Sequence, residues 1–347
     1  MTAQTLTIVR PDDWHLHLRD GAEMASVLSQ TTRAFARAVV MPNLRLPVTD
    51  TARAAAYRAR ILEVLPRGAC FEPLMTLYLT DNTSGDEIAH AKRSGFIHGV
   101  KYYPAGATTN SDSGVTRIER VHAALDAMQE QDLPLLVHGE VTTPGVDLFD
   151  RERVFLDTVL AGIVERFPGL RVVVEHASTR EAVEFVLASG PRVAATITAH
   201  HLLFSRGALF SGGFRPHYYC LPVLKREEHR EALVRAAASG NPKFFLGTDS
   251  APHARTDKES HCGHAGIYSA PAAIELYAEA FEQAGALDRL EAFASFHGPA
   301  FYGLPRNAGS ITLFREAWTV PGELPFGART VVPLRAGESV AWRLGRE

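Results

Sequence analysis

A chain of 347 residues, 46% hydrophobic and 22% charged, has room for one large α/β domain or two ordinary ones and is unlike a disordered polypeptide. Its net charge of −3, with no basic run, leaves no electrostatic footprint for nucleic acid or an anionic membrane, so a small molecule is the expected partner. Three cysteines, Cys70, Cys220 and Cys262, lack any CxxC spacing and exclude a disulfide framework or a thiolate finger; a metal is then expected on nitrogen and oxygen. No basic n-region with an apolar core opens the chain, and no apolar run approaches a membrane span, so a reducing cytoplasm is the expected location.

The first element is the run Asp12-Asp13-Trp14-His15-Leu16-His17-Leu18-Arg19. As a strand over 14–18, its period of two sets His15 and His17 on one face and Trp14, Leu16 and Leu18 on the other. Two imidazoles aimed into one space make a candidate half-site for a transition metal, although the same spacing also suits surface histidines on an edge strand. Further strands are expected at 38–41, 71–77, 97–103, 133–138, 171–175, 193–197 and 244–246. Helical periodicity lies between them at 51–65, 86–94, 117–131, 153–167, 181–189, 226–238 and 271–284. Ser178 and Glu181 have capping-box spacing, Gly190 stands where a C′ glycine belongs, and Ser269 precedes Pro271 at a helix start.

Eight strands alternating with helices predict a parallel sheet closed into a (β/α)8 TIM barrel, and no GxGxxG follows the first strand to suggest a dinucleotide fold. From about residue 306 the chain turns rich in proline and glycine, with short β-like pieces at 330–334 and 339–344. This reads as a C-terminal β-containing tail packed on the barrel, which makes 1–347 a single domain.

Barrel enzymes place their chemistry at the C-terminal ends of the strands. There the sequence sets His15 and His17 on strand one, Lys101 on strand four, His138 on strand five, His176 on strand six and Asp249 on strand eight. Singly, each has a plain reading as a rim histidine, a solvated lysine or a helix-capping aspartate. Together they suit two divalent ions, with His15, His17 and Asp249 on one and His138 and His176 on the other. A bridging anion is then wanted, and no spare carboxylate stands in the set. A buried lysine beside cations has a depressed pKa and can take up carbon dioxide as a carbamate, which would make Lys101 the bridge.

This pattern resembles the amidohydrolase superfamily. The stretches 13–19, Met41-Pro42-Asn43, Val100-Lys101-Tyr102-Tyr103-Pro104-Ala105, 107–110, Gly247-Thr248-Asp249-Ser250-Ala251-Pro252-His253 and Cys262-Gly263-His264-Ala265-Gly266 resemble, within it, the dihydroorotases of the short, free-standing bacterial type. The likeness runs through nearly the whole chain. It implies a homodimer with two Zn²⁺ per subunit bridged by N-carboxylated Lys101, interconverting N-carbamoyl-L-aspartate and L-dihydroorotate in pyrimidine synthesis. By the same likeness a zinc-bridging hydroxide attacks the ring amide, with Asp249 as general base and then acid. Arg19, Asn43 and His253 would hold the substrate carboxylate, backbone groups at Leu221 and Ala265 would meet the ring, and the 106–114 loop would be a lid carrying Thr108 and Thr109. Gly106 and Asp112 are the departures within that loop. Two alternatives stay open. A hydantoinase or dihydropyrimidinase would share the metals but not the carboxylate pocket, and a catalytically silent scaffold barrel would be expected to have lost ligands, none of which is missing.

Overall fold

The computed structural model describes residues 4–345, so the ends of the expected 1–347 span, residues 1–3 and 346–347, lie outside the described residues. The strands in chain order begin with β1 (Thr5–Val9), β2 (Asp12–Leu16), β3 (Arg37–Val40), β4 (Glu72–Tyr78) and β5 (Ile97–Tyr102). They continue with β6 (Leu135–Val137), β7 (Val172–Val174), β8 (Val193–Ile197) and β9 (Phe244–Leu246). Strands β2 to β9 form one eight-stranded parallel sheet in sequential order. It closes where Leu16 bridges Ser250, with Asp249 N–H donating to the His15 carbonyl at 2.9 Å and His17 N–H to the Ser250 carbonyl at 3.1 Å. The expected TIM barrel is therefore present, and its closing seam joins the two ends of the candidate metal set.

The strands read as nearly continuous apolar runs because both faces are buried. Val39, Leu74, Leu136, Val173, Ala194 and Phe245 fill the barrel interior, while their neighbours Val40, Met75, Leu135, Val137, Val172 and Val174 pack outward in the larger core. One expectation fails here. Trp14 joins the interior cluster, whereas Leu16 and Leu18 join the outer one. The register slips between Asp13 and Leu16, and such a bulge breaks the period of two and re-aims side chains. Trp14 is fully buried, its ring stacked 4.4 Å from that of Tyr302. Gly298 makes that packing possible, since a Cβ there would lie 1.9 Å from the indole Nε1.

The expected helices are found, at Thr51–Glu63, Gly85–Ser94, His122–Glu130, Arg180–Ala188, Glu227–Ala238 and Ala273–Gln283, with 151–166 formed by two short helices joined through a π turn. The helix Gly21–Thr32 was not expected, although Met24, Val27, Leu28 and Thr31 bury one face at helical spacing behind an Asp20 cap. The capping box is also corrected. Thr179, not Ser178, caps its helix by accepting the Ala182 N–H, and the Ser178 N–H that a capping box would give to Glu181 goes to Glu152 instead. Gly190 follows the C-cap Ser189, and Ser269 heads the turn containing Pro271, both as expected.

The tail adds β10 (Ser310–Phe314), β11 (Trp318–Thr319), β12 (Leu324–Phe326), β13 (Arg329–Val331), β14 (Ser339–Val340) and β15 (Arg343–Leu344). Strand β10 pairs antiparallel with both β1 and β15, so the chain's first strand and its tail share one small sheet. The β-like pieces expected at 330–334 and 339–344 are shorter strands than anticipated. Among the described residues no helix is long and apolar enough to cross a membrane.

Candidate active site

The barrel seam is held by Asp13, which lies at the start of the bulge. Its carboxylate accepts from the Thr248 N–H at 2.8 Å, the Thr248 hydroxyl at 2.6 Å and the His15 N–H at 3.2 Å. Burial pushes Asp13 up to about 6, and the Thr248 hydrogen bonds oppose that rise. These bonds set His15 and Asp249 at a common depth. His15 Nε2, His17 Nε2 and Asp249 Oδ1 then form a triangle with sides of 3.2, 3.3 and 3.2 Å. Tetrahedral coordination with bonds of about 2.0–2.1 Å places ligand atoms roughly 3.3 Å apart, so the triangle is one face of a ready-made coordination shell. The donor set of two imidazoles and a carboxylate fits a zinc-type ion.

The second expected pair also converges. His138 and His176 have ring centroids 4.9 Å apart, and His176 lies 5.0 Å from His15. The His138 Nε2 is 2.8 Å from Glu140 Oε2, which fixes the ring. The His176 Nδ1 is buried without a hydrogen-bond partner among the described residues. Lys101 is fully buried, its ammonium paired with Glu175. Glu175 also sits 3.1 Å from His15 Nδ1, orienting that ring from behind.

Glu140 and Glu175 correct the reading that no spare carboxylate stands near the set. Both are two or fewer residues from an expected ligand, and strand-end carboxylates beside histidines were the signal available. Burial pulls Lys101 below its ordinary value, against the Glu175 carboxylate. Burial likewise opposes charge on His15, yet Glu175 and Asp249 carry it up to about 9. Burial would raise Asp249, but His15 and His17 hold it well below the carboxylate range. Burial, reinforced by the neighbouring cations, takes His17 down to about 4 and His176 well below its ordinary value. The site is thus a cluster of charges that a cation would organise.

Eleven of the thirteen expected site residues line one cavity; Lys101 is fully buried, and His253 lines the adjoining cleft together with Arg19 and Asn43. Arg19 points into that cavity. Its Nε donates to the Pro252 carbonyl at 2.8 Å and its Nη2 lies 2.9 Å from His253 Nε2, yet no carboxylate among the described residues is within ion-pair distance. Burial keeps His253 well below its ordinary value, so the ring accepts from the guanidinium as a neutral base. Asn43 donates to the Thr109 carbonyl at 3.1 Å, and Thr109 Oγ1 reaches the Ala265 carbonyl at 3.5 Å, which folds the 106–114 loop over the cavity. Leu221 and Ala265 line the opposite wall. That wall depends on Gly266, with φ of +148° and no room for a Cβ, which would sit 2.7 Å from the Ala251 carbonyl. Lys258, unnoticed in the sequence, donates to the carbonyls of Tyr219, His264 and Gly266 and so ties both halves of the wall together. Tyr103 also lines the cavity, with its hydroxyl unpartnered among the described residues.

Among the described residues, four of the six non-glycine residues with positive φ belong to this site: Arg19 at 63°, Asn110 at 55°, His176 at 43° and Asp249 at 43°. Such backbone costs on the order of 1–3 kcal/mol per residue and concentrates where function over-determines geometry.

Residues 7–330 match the model of the amidohydrolase family. The chain belongs to that family. Among its relatives is a dihydroorotase from Cupriavidus necator, 68% identical over 341 residues covering 98% of this chain and 99% of the relative. In solved structures, dihydroorotase from Campylobacter jejuni has a TM-score of 0.91 at 35% identity, covering 100% of this chain and 99% of that one. Dihydroorotase from Saccharomyces cerevisiae in complex with 5-fluoroorotic acid has a TM-score of 0.90 at 31% identity, covering 99% and 98%. This amidohydrolase therefore sits among the dihydroorotases over its full described length.

Proposed function

We propose that the chain is a zinc-dependent dihydroorotase, interconverting N-carbamoyl-L-aspartate and L-dihydroorotate. The observation that carries this reading is the guanidinium of Arg19, without a carboxylate partner, in the same cavity as the His15–His17–Asp249 triangle. A buried cation left without a counter-ion awaits one from the ligand, and a planar carboxylate matches it bidentately. Asn43 and His253 stand beside it to share that carboxylate, and the backbone at Leu221 and Ala265 faces the ring.

His15, His17 and Asp249 would hold one zinc ion, His138 and His176 the other, with Lys101 as its carboxylate derivative between them. When bound, the ions supply polarisation of the ring carbonyl and a lowered pKa for the attacking water. Asp249 takes the proton from that water and hands it to the departing ring nitrogen. Its depressed pKa keeps it ionised and ready as the base. Lys101 is displaced toward the neutral amine, the form that combines with carbon dioxide. Thr108 and Thr109 close the 106–114 loop over the substrate and exclude bulk water. We further read 1–347 as one domain, and the resemblance implies a homodimer, which sedimentation of the purified protein tests.

Turnover of dihydroorotate against dihydrouracil, which lacks the carboxylate, tests the reading. Strong preference for dihydroorotate is expected; equal turnover would transfer the assignment to a hydantoinase-type enzyme.

A further inference from the structure

A second cluster of metal-ligating side chains lies apart from the barrel-mouth set. His200 and His201 stand on the short helix Ala199–Leu203 that follows β8, and Cys220 lies on the loop leading to Leu221. All three are buried, and their ligand atoms lie within 4.8 Å of one another. His200 is fully buried, and neither of its ring nitrogens has a hydrogen-bond partner among the described residues. Buried polar groups are very rarely left so, and each orphan calls for an explanation.

The neighbours are arranged as ligands. The Thr198 hydroxyl is 2.8 Å from His201 Nδ1, while His201 Nε2 and Cys220 Sγ each lie 3.2 Å from the Pro222 carbonyl oxygen. The His201 Nε2–H and the Cys220 thiol both donate to that carbonyl, and the Thr198 hydroxyl donates to Nδ1; a bound ion would move the imidazole proton from Nε2 to Nδ1, where the Thr198 oxygen can accept it, the second-shell arrangement usual for a metal-bound imidazole. We propose that His200, His201 and Cys220 form a separate site for a thiophilic cation such as Zn²⁺, with the Pro222 carbonyl as the fourth ligand.

Bonds of about 2.0–2.3 Å in a tetrahedral shell put ligand atoms roughly 3.3–3.7 Å apart. The carbonyl oxygen is already at about that spacing from both Nε2 and Sγ, 3.2 Å each, and the three side-chain ligand atoms, within 4.8 Å of one another, have to close in only slightly. Burial holds the His200 imidazole down to about 4, so it is a neutral donor at physiological pH. The Cys220 thiol, pushed up by burial to about 12, gives its proton to solvent when the ion binds, one proton per ion. This adds sulfur to the nitrogen and oxygen ligands anticipated from the sequence. On the functional reading above, Cys220 and Pro222 bracket the Leu221 contact to the substrate ring, so an ion here would pin that segment.

The test uses the purified holoenzyme carrying Cys70→Ser and Cys262→Ser, which removes the two exposed thiols. It is dialysed against Co²⁺, desalted, and measured for metal per chain and for near-ultraviolet absorption. A thiolate-to-cobalt charge-transfer band is expected, because the barrel-mouth ligands contain no sulfur, together with one ion per chain more than in the same protein carrying Cys220→Ala or His200→Gln. That difference is independent of how many ions the barrel mouth holds. Absence of the band with equal metal counts would overturn the proposal, as would a band that survives Cys220→Ala. If Cys220→Ala loses its native circular dichroism, His200→Gln decides: loss of one ion supports the site, and retention overturns it.

Discussion

Replacing Arg19 by Met removes the one cation in the cavity that lacks a carboxylate partner among the described residues. Hydrogen bonds to charged groups contribute about 1.5–3 kcal/mol each, so losing a bidentate pair costs on the order of 3–5 kcal/mol. At about 1.4 kcal/mol per decade, kcat/KM for dihydroorotate should fall on the order of 10²- to 10⁴-fold. The substitution also frees the Pro252 carbonyl and His253, a structural cost that every substrate shares. Steady-state hydrolysis of dihydroorotate and dihydrouracil by wild type and Arg19→Met separates the two contributions. The carboxylate role predicts that nearly all the loss falls on dihydroorotate, so that the preference over dihydrouracil collapses. Equal loss on both substrates would refute it and leave Arg19 as a brace for the Pro252–His253 segment.

Three further outcomes follow from the geometry. Lys101→Ala should lose both metal and activity and regain part of each with small carboxylic acids that fit the vacated space; unchanged metal content and rate would exclude the bridging role. Gly298→Ala, normally favourable in a helix, should instead destabilise by about 3 kcal/mol or more, because its Cβ would lie 1.9 Å from Trp14 Nε1; an unchanged urea midpoint would contradict the packing. Asp249 is held well below the carboxylate range, so hydrolysis should keep its ionised base and stay level as pH falls from neutral into the mildly acidic range, while cyclisation, which starts from the protonated form, should keep rising; identical pH profiles in the two directions would rule out Asp249 as the proton carrier.

The barrel was legible because its strands are short apolar runs buried on both faces, separated by helical periods. The ligand set was legible because strand ends in a barrel share one rim, so chain position alone gathered His15, His17, Lys101, His138, His176 and Asp249. What escaped depends on local geometry that periodicity cannot express. The bulge that turns Trp14 inward comes from Asp13 bonding across the seam to Thr248, a partner 235 positions away. Glu140 and Glu175 were not singled out in the sequence, and only the fold places them against His138, His15 and Lys101. Lys258 was not singled out in the sequence either, since only the tertiary structure surrounds it with three carbonyls. The pairing of β1 with the tail was hidden for the same reason, since each strand is short and finds its partner some 300 residues distant.

The most direct test of the account is metal analysis coupled to dihydroorotate hydrolysis on one preparation, before chelation, after it and after zinc is restored. Activity should vanish with the metal and return in step with zinc taken up by the barrel-mouth site. Full turnover by metal-free protein would contradict the account.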